Sequence, residues 1–443
     1  MIVLPEKVKY IIETLEENGY EAYAVGGCVR DCILGRTPMD WDITTSALPE
    51  QVKKVFHRTI DTGIEHGTVT VMLQKEGFEV TTYRVDGDYE DGRHPKEVTF
   101  TASLIEDLKR RDFTINAMAY NERVGLVDEF DGRGDIERKL IKCVGNAKER
   151  FSEDALRMMR AVRFAAQLGF EIDEDTKNAI KNMADGLRRV SAERIQVELT
   201  KLLVSDHPEE LRTLYETGLT KVMLPEFDLL METEQNTPHH CYNVGEHTIH
   251  AVCKIRAEKI LRLSMLLHDI SKPECRTTDC DGRDHFKGHP AKGAKKAEEI
   301  LRRLKYDNDT IKKVTRYVKY HDDKPNADKI SVRRTISRIG EEYYPDIFEV
   351  FLADRLAQSE YKRKEKLKYV EEYKKIYEEI MRENDCLKIS DLALNGNDLM
   401  GLGIQKGPKI GETLKKLLDY VLENPKKNTR EELVDYMNTF LGE

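Results

Sequence analysis

The sequence predicts an α+β head followed by an all-α remainder, and three observations carry that prediction. Short strand patterns, among them Thr68 to Leu73 and Phe78 to Arg84, alternate with helical ones up to about residue 145. From Ala147 onward almost every segment has helical periodicity and strand signals vanish. At 443 residues the chain has length for about two to four domains with buried cores. Composition shifts mark the boundaries. They fall at Lys142 to Lys148, at Leu224-Pro225 before a His-rich region, and at Ser359 to Lys366, after which Lys and Glu dominate. The expected domains are therefore 1–145, 146–225, 226–360 and 361–443.

The first functional signal is Gly26-Gly27-Cys28-Val29-Arg30-Asp31. Glu21 to Val25 reads as a short buried strand, and the two glycines then turn the chain into a helix that Arg30 and Asp31 continue. A helix start behind a glycine turn offers backbone N–H groups to an anion, and a triphosphate suits it. Asp40-Trp41-Asp42 follows in what reads as the next strand, Trp41 to Thr44, so both carboxylates face one side. Two carboxylates held together repel unless a cation lies between them, and Mg²⁺ prefers such oxygen ligands. A lone Gly-Gly is usually a turn and a lone Asp-x-Asp a solvated loop. In this order, between strand and helix patterns, they point to phosphoryl or nucleotidyl transfer.

These residues resemble the class II tRNA nucleotidyltransferase and bacterial poly(A) polymerase family, and the resemblance covers nearly the whole chain. It implies a polymerase-β-like nucleotidyltransferase head, a helical neck, a histidine-rich domain and a helical tRNA-binding tail. In such a head two metal ions roughly 4 Å apart clamp the reacting groups. Asp40 and Asp42 are the expected Mg²⁺ ligands and catalytic residues, with Glu79 on the following strand pattern as a candidate third carboxylate. The run Arg110-Arg111-Asp112-Phe113-Thr114-Ile115-Asn116-Ala117 matches a second family motif. Arg110 and Arg111 supply charge for phosphates, and Asp112 can accept from a ribose hydroxyl. Gly26, Gly27, Arg30 and Asn116 complete the expected nucleotide-binding set of the head.

Glu153-Asp154-Ala155-Leu156-Arg157-Met158-Met159-Arg160 opens a strongly helical stretch, where Asp154 and Arg157 are expected to be neighbours on one helix face. An intrahelical ion pair is the plain reading. The resemblance makes the motif a protein template for CTP and ATP. Cytosine and adenine both present an exocyclic amine beside a ring-nitrogen acceptor, which a carboxylate and a guanidinium match. Uracil and guanine invert that order and leave polar groups unpaired. Arg160 and Arg163 are expected to support the phosphates or the helix face. Asp86 to Pro95, with two glycines and a proline, resembles the flexible loop that family members need for switching from C to A addition.

His247, His268-Asp269, His289, His321 and Asp354 follow in a helical context, and their order resembles the HD phosphohydrolase superfamily. The resemblance makes His247, His268, Asp269 and Asp354 primary ligands of a divalent metal, with His289 and His321 auxiliary. Ni²⁺, Mn²⁺ and Mg²⁺ all suit such a donor set. The implied chemistry is hydrolysis of phosphoesters, 2′,3′-cyclic phosphates at damaged tRNA ends among them. Beyond Ser359, the run Tyr361 to Lys366 reads by default as a solvated helix face, with an RNA-facing surface as the alternative. The glycine turns of Asn395 to Gly401 and Gly407 to Gly411 resemble the family's tail, and fit a plain helix connection equally well.

The expected activity is CCA addition to the 3′ end of tRNA from CTP and ATP. A-only addition and poly(A) synthesis are the nearest rivals; a phosphohydrolase with a vestigial head and a non-catalytic RNA-binding module are rivals of other classes. The net charge of −9 is a weak veto on RNA binding, because contact needs only a local basic surface. No stretch of eighteen apolar residues and no signal-peptide layout is present, and the eight cysteines form no CxxC pair. A cytoplasmic setting with free thiols, and no membrane partner, is the expectation.

Overall fold

The computed structural model describes residues 2–87 and 98–441. Two compact units divide the chain, Met1–Asp228 and Leu229–Glu443. The first is built on a mixed sheet. Its strands are β1 (Ala22–Val25), β2 (Ile43–Thr45), β3 (Thr59–Gly63), β4 (Thr68–Leu73) and β5 (Glu76–Thr82), a separate pair β6 (Arg84–Asp86) and β7 (Val98–Phe100), and then β8 (Ala119–Asn121) and β9 (Gly125–Val127). The sheet order is β3-β4-β5-β2-β1-β8-β9. Among the described residues of this sheet only β2 and β5 pair in parallel, with Ile43 opposite Val80 and Thr44 opposite Thr81.

Side-chain period explains these elements. In β4 the alternation Thr-Val-Thr-Val puts Val69 and Val71 fully inside while the threonines stay half-buried. The helix Glu6–Glu17 buries Val8, Ile11, Ile12 and Leu15, spaced three and four apart, so one stripe faces inward. Tyr23, Val25 and Ala119 of the sheet pack with Tyr83 and with Leu104 and Leu108 of the helix Leu104–Lys109. Beyond the sheet, the helix Leu156–Leu168 is buried along most of its length, and its Phe164 meets Phe113 edge to face at 5.8 Å.

The second unit is helical. Leu261 to Leu267 are all buried within the helix Lys259–Leu267, which is therefore enclosed on every side. The helix Asp346–Ala357 docks on the long helix Arg363–Glu383 through a layer of aromatic rings, in which Tyr344 stacks on Tyr377 and its hydroxyl lies 2.6 Å from that of Tyr373. The long helix buries only Val370, Tyr373 and Ile380, as a solvated mixed-charge helix should. Among the described residues no helix is long and apolar enough to cross a membrane, and all eight cysteines are free.

Strands do persist beyond residue 147, against the sequence expectation. β10 (Leu140–Ile141) pairs in parallel with β11 (Glu171–Ile172), and β12 (Thr277–Thr278) pairs with β13 (Asp284–His285). Two residues are too few for a period-2 pattern to register. The segment Asp86 to Pro95 falls largely outside the described residues, beginning at Asp88.

Leu108 is fully enclosed in the first unit's core. Leu108→Ala is expected to lower the stability of that unit by about 2–5 kcal/mol, read as a lowered urea midpoint at unchanged slope.

Candidate functional site

The glycine turn is fixed by conformation and by space. Gly26 has φ +85° and ψ −130°, and a Cβ there would meet Nη1 of Arg111 at 2.8 Å. Its own N–H is bound to the carbonyl of Met118, 3.0 Å away, so the donors left for a ligand are those opening the helix Gly27–Ile33.

Asp40 and Asp42 lie just before β2, not within it as the sequence suggested. Backbone pairing still governs them, since the carbonyl of Asp42 accepts from Val25 N–H at 3.0 Å. The parallel register that sets Ile43 opposite Val80 carries Asp42 and Glu79 to neighbouring strand positions just beyond it, on the sheet face that Thr44 and Thr81 share with Tyr23. Like charge then accumulates. Enclosure by the surrounding protein raises the pKa of Asp42, Arg111 opposes the rise, and Asp40 adds to it. Glu79 is raised by burial and by Asp42 and Asp40. Asp40, Asp42 and Glu79 are thus close enough to repel one another, a charge that a hard divalent cation would relieve, although their oxygens do not close to metal-ligand spacing in this structure.

A buried polar network backs this edge. Arg30 donates to Asn116 at 2.7 Å, Asn116 to Asp112 at 3.3 Å, and Arg160 to the other oxygen of Asp112 at 2.7 Å. Burial would raise the Asp112 carboxyl, but Arg160 and Arg157 hold it down at about 2, helped by the hydrogen bonds from Arg160 and Asn116. Arg163 turns away, to Glu198 at 2.6 Å and over the Phe164 ring at 3.7 Å. Arg110 is likewise engaged, bound to Asp107 at 2.9 Å. Asp107 escaped the sequence reading. It is fully buried, and it also accepts from Thr44 at 3.2 Å and pairs with Arg111 at 3.7 Å. Its spacing of three and four residues from the two arginines was the available signal.

Asp154 and Arg157 do not share a helix face as expected. The helix Ala147–Glu153 ends at Asp154, whose backbone is extended, and the next helix begins at Leu156. Asp154 uses its carboxylate to accept from Leu156 N–H at 3.0 Å and is gripped by both terminal nitrogens of Arg194, at 3.2 and 2.6 Å. Arg157 pairs with Glu153 and donates to the Arg110 carbonyl at 3.0 Å. Arg194, forty residues away, carried no local signal.

In the second unit the six expected residues come together. His247, on the helix Val244–Lys254, groups with His268 and Asp354; Asp269 groups with His289 and His321. Each imidazole turns Nδ1 to a backbone carbonyl: Ala357 for His247 at 3.4 Å, Met265 for His268 at 2.7 Å, Phe286 for His289 at 2.7 Å and Val318 for His321 at 2.8 Å. That bond puts the proton on Nδ1 and leaves Nε2 a lone pair. The Nε2 atoms of His247 and His268 are 3.2 Å apart, as are those of His289 and His321. Asp269 stands between the groups, one oxygen 3.1 Å from His268 and the other 3.2 Å from His289. Its buried oxygens lack a well-aligned hydrogen-bond donor, although the ammonium of Lys272 lies 2.7 Å away. Lone pairs facing lone pairs and an orphaned carboxylate fit one or two divalent cations.

Three family profiles match the chain. "Poly A polymerase head domain" covers residues 22–142, "Probable RNA and SrmB- binding site of polymerase A" covers 169–231, and "tRNA nucleotidyltransferase domain 2" covers 291–437. A CCA-adding enzyme of Lactiplantibacillus plantarum is 56% identical over 203 residues, 46% of this chain and 50% of that one. One of Geobacillus kaustophilus is 55% identical over 215 residues, 48% of this chain and 53% of that one. The chain thus spans about half the length of the curated relatives it matches. A crystal structure of the Bacillus stearothermophilus CCA-adding enzyme in complex with CTP superposes over 100% of both chains, with a TM-score of 0.71 and 30% identity. A likeness that runs the full length of both chains at that identity is one of descent, and the chain belongs to the CCA-adding enzyme family.

Proposed function

We propose that the chain adds CCA to the 3′ end of tRNA, taking CTP and ATP without a nucleic-acid template. The observation that carries this is the gathering of negative charge from Asp40, Asp42 and Glu79 at one sheet edge, near Gly26 and Arg111, in a chain similar throughout to an enzyme solved with CTP. The terminal hydroxyl of tRNA attacks the α-phosphorus; a P–O bond forms, the bond to the β-phosphate oxygen breaks, and pyrophosphate leaves. Mg²⁺ held by Asp40 and Asp42, with Glu79 completing the set, would lower the pKa of that hydroxyl and neutralise developing charge. Gly27 and the N–H groups after it, with Arg111, take the triphosphate, while Arg30, Asn116, Asp112 and Arg160 hold the ribose side of the pocket. Asp154 and Arg157 read the base. Arg194 orients the Asp154 carboxylate as an acceptor for the exocyclic amine shared by C and A.

A second reading covers the second unit and is carried by the two His/Asp groups that Asp269 joins. An HD-type phosphohydrolase domain fits residues 226–360, between a neck at 146–225 and a tRNA-facing tail at 361–443. His247, His268, Asp354 and Asp269 would hold one divalent ion and His289 and His321 a second beside Asp269; Mn²⁺, Ni²⁺ and Mg²⁺ all suit these donors. The bound ions would supply a hydroxide at neutral pH for attack on a phosphoester such as a 2′,3′-cyclic phosphate. Lys272 is placed to steady the phosphoryl charge.

Incubation with tRNA lacking its last three nucleotides, Mg²⁺ and labelled CTP and ATP should give two C and one A, then arrest. Long A tails would instead identify a poly(A) polymerase, and A added only to tRNA ending in CC would identify half of a two-enzyme system. Asp42→Asn should lower nucleotide addition by about three orders of magnitude and spare hydrolysis of cyclic phosphates; Asp269→Asn should do the reverse. Loss of both activities in either variant would overturn the two-site reading.

Stability should also respond to acid. The Asp112 carboxyl is lowered from 3.8 to about 2 in the folded chain. Its contribution, about 2 kcal/mol, is fully present above about pH 4 and lost as the pH falls through about 2. Asp112→Asn should remove that acid-dependent part, measured as urea midpoints of the first unit across this range.

A further inference from the structure

We infer that the cavity beside the His/Asp groups carries a second anion subsite, formed by Arg355 and Lys366. It holds a phosphate of the substrate other than the one that reacts. The ligand class is then a nucleotide, or a nucleic-acid end, bearing two phosphates. This inference rests on the phosphohydrolase reading of the second unit.

The cavity measures about 790 Å³, room for a nucleotide. Asp269, His289, His321 and Asp354 line it, and so do Arg355 and Lys366. Arg355 is only 4% exposed, yet no carboxylate pairs with it among the described residues. Its side chain donates once, from Nη1 to the Phe351 carbonyl at 2.9 Å, and lies 5.3 Å from the Phe351 ring and 5.9 Å from the Tyr369 ring. A buried guanidinium with one carbonyl and two ring faces is under-compensated, and an anion in the cavity would supply what it lacks.

Lys366 stands close by. Its ammonium donates to Gln358 at 2.7 Å, and Gln358 donates in turn to Asp354 at 3.0 Å, so one side chain separates this cation from a candidate metal ligand. Burial lowers the pKa of Lys366; Asp354 opposes this, and Lys324, Arg355 and Arg363 add to it. Cations therefore crowd one another at this end of the cavity.

Geometry separates the subsite from the reacting centre. Asp354 and Arg355 are adjacent on one helix, and adjacent helical residues do not face the same point. The ions that these donors would hold, together with Lys272, would take the charge of the reacting phosphoryl. Arg355 and Lys366 address a different group of the same molecule, as the 5′-phosphate of a terminal nucleotide would be.

The test is calorimetric titration of the full chain, in EDTA, with adenosine 3′,5′-bisphosphate and adenosine 3′-monophosphate. The bisphosphate should bind about tenfold more tightly. Arg355→Met and Lys366→Met should each erode that preference without weakening the monophosphate, and Arg355→Lys should keep part of it. Equal binding by the unaltered chain, or a preference that survives both methionine substitutions, would overturn the subsite. Should Arg355→Met fail to fold, the half-buried Lys366 carries the same comparison. Hydrolysis of adenosine 2′,3′-cyclic phosphate with and without a 5′-phosphate, in Mn²⁺, separates the two levels of the argument. Turnover of both at equal KM overturns the subsite and leaves the phosphohydrolase. Absence of turnover with an intact Arg355-dependent preference overturns the phosphohydrolase and leaves the subsite.

Discussion

Asp112 is the point on which the first unit's candidate site depends. Its carboxylate is buried, and burial alone would drive it toward the neutral acid. Arg160 from the helix Leu156–Leu168 binds one oxygen; Phe113 N–H and Asn116 bind the other, and Asn116 passes the network on to Arg30 behind the glycine turn. Three separate stretches of chain are thereby joined by one charge. Breaking such a network strands a buried ion, so its members hold their positions more tightly than surface pairs do. Arg111, one residue earlier, is kept against Gly26 and Asp107 by the same backbone.

The second unit solves a different problem. Four imidazoles and two carboxylates are brought within contact by five helices and the turns between them, and the ring orientations are set locally. His268, His289 and His321 each bind the carbonyl three residues before them, so their tautomer does not depend on distant parts of the fold. Distant packing decides only where each ring stands. The aromatic layer of Tyr344, Phe348, Tyr373 and Tyr377 does that for Asp354, by seating its helix on the long helix that follows.

Much of this was legible in the sequence because the relevant signals are local. Gly26-Gly27 announces a turn, Asp40-Trp41-Asp42 announces two carboxylates near β2 though not the strand that would set them on one side, and His268-Asp269 closes an apolar run that could only be buried. The association of Glu79 with Asp42 came from strand order and register, which short patterns suggest but do not fix. Three things were hidden. Asp107 looked like one charge among several on a short helix, although its burial makes it the anchor of two arginines. Asp154 lies in a strongly helical stretch of sequence, whereas its backbone is extended between two helices and its carboxylate accepts from the first N–H of the second. Arg194 and Arg355 are defined by tertiary partners, or by the want of one, and no window of sequence contains that information.

The parallel pairing of β2 with β5 governs when the carboxylate triad can exist during synthesis. Thr44 and Thr81 lie 37 residues apart along the chain, with β3 and β4 between them in sequence. A nascent chain that has emerged only as far as Asp42 carries two ordinary solvated acids. The clustered charge arrives when the strand bearing Glu79 leaves the ribosome, and the opposing charge of Arg111 arrives later still. A product that stops short of β5 therefore lacks the clustered charge of this edge, however much of the earlier sequence has folded.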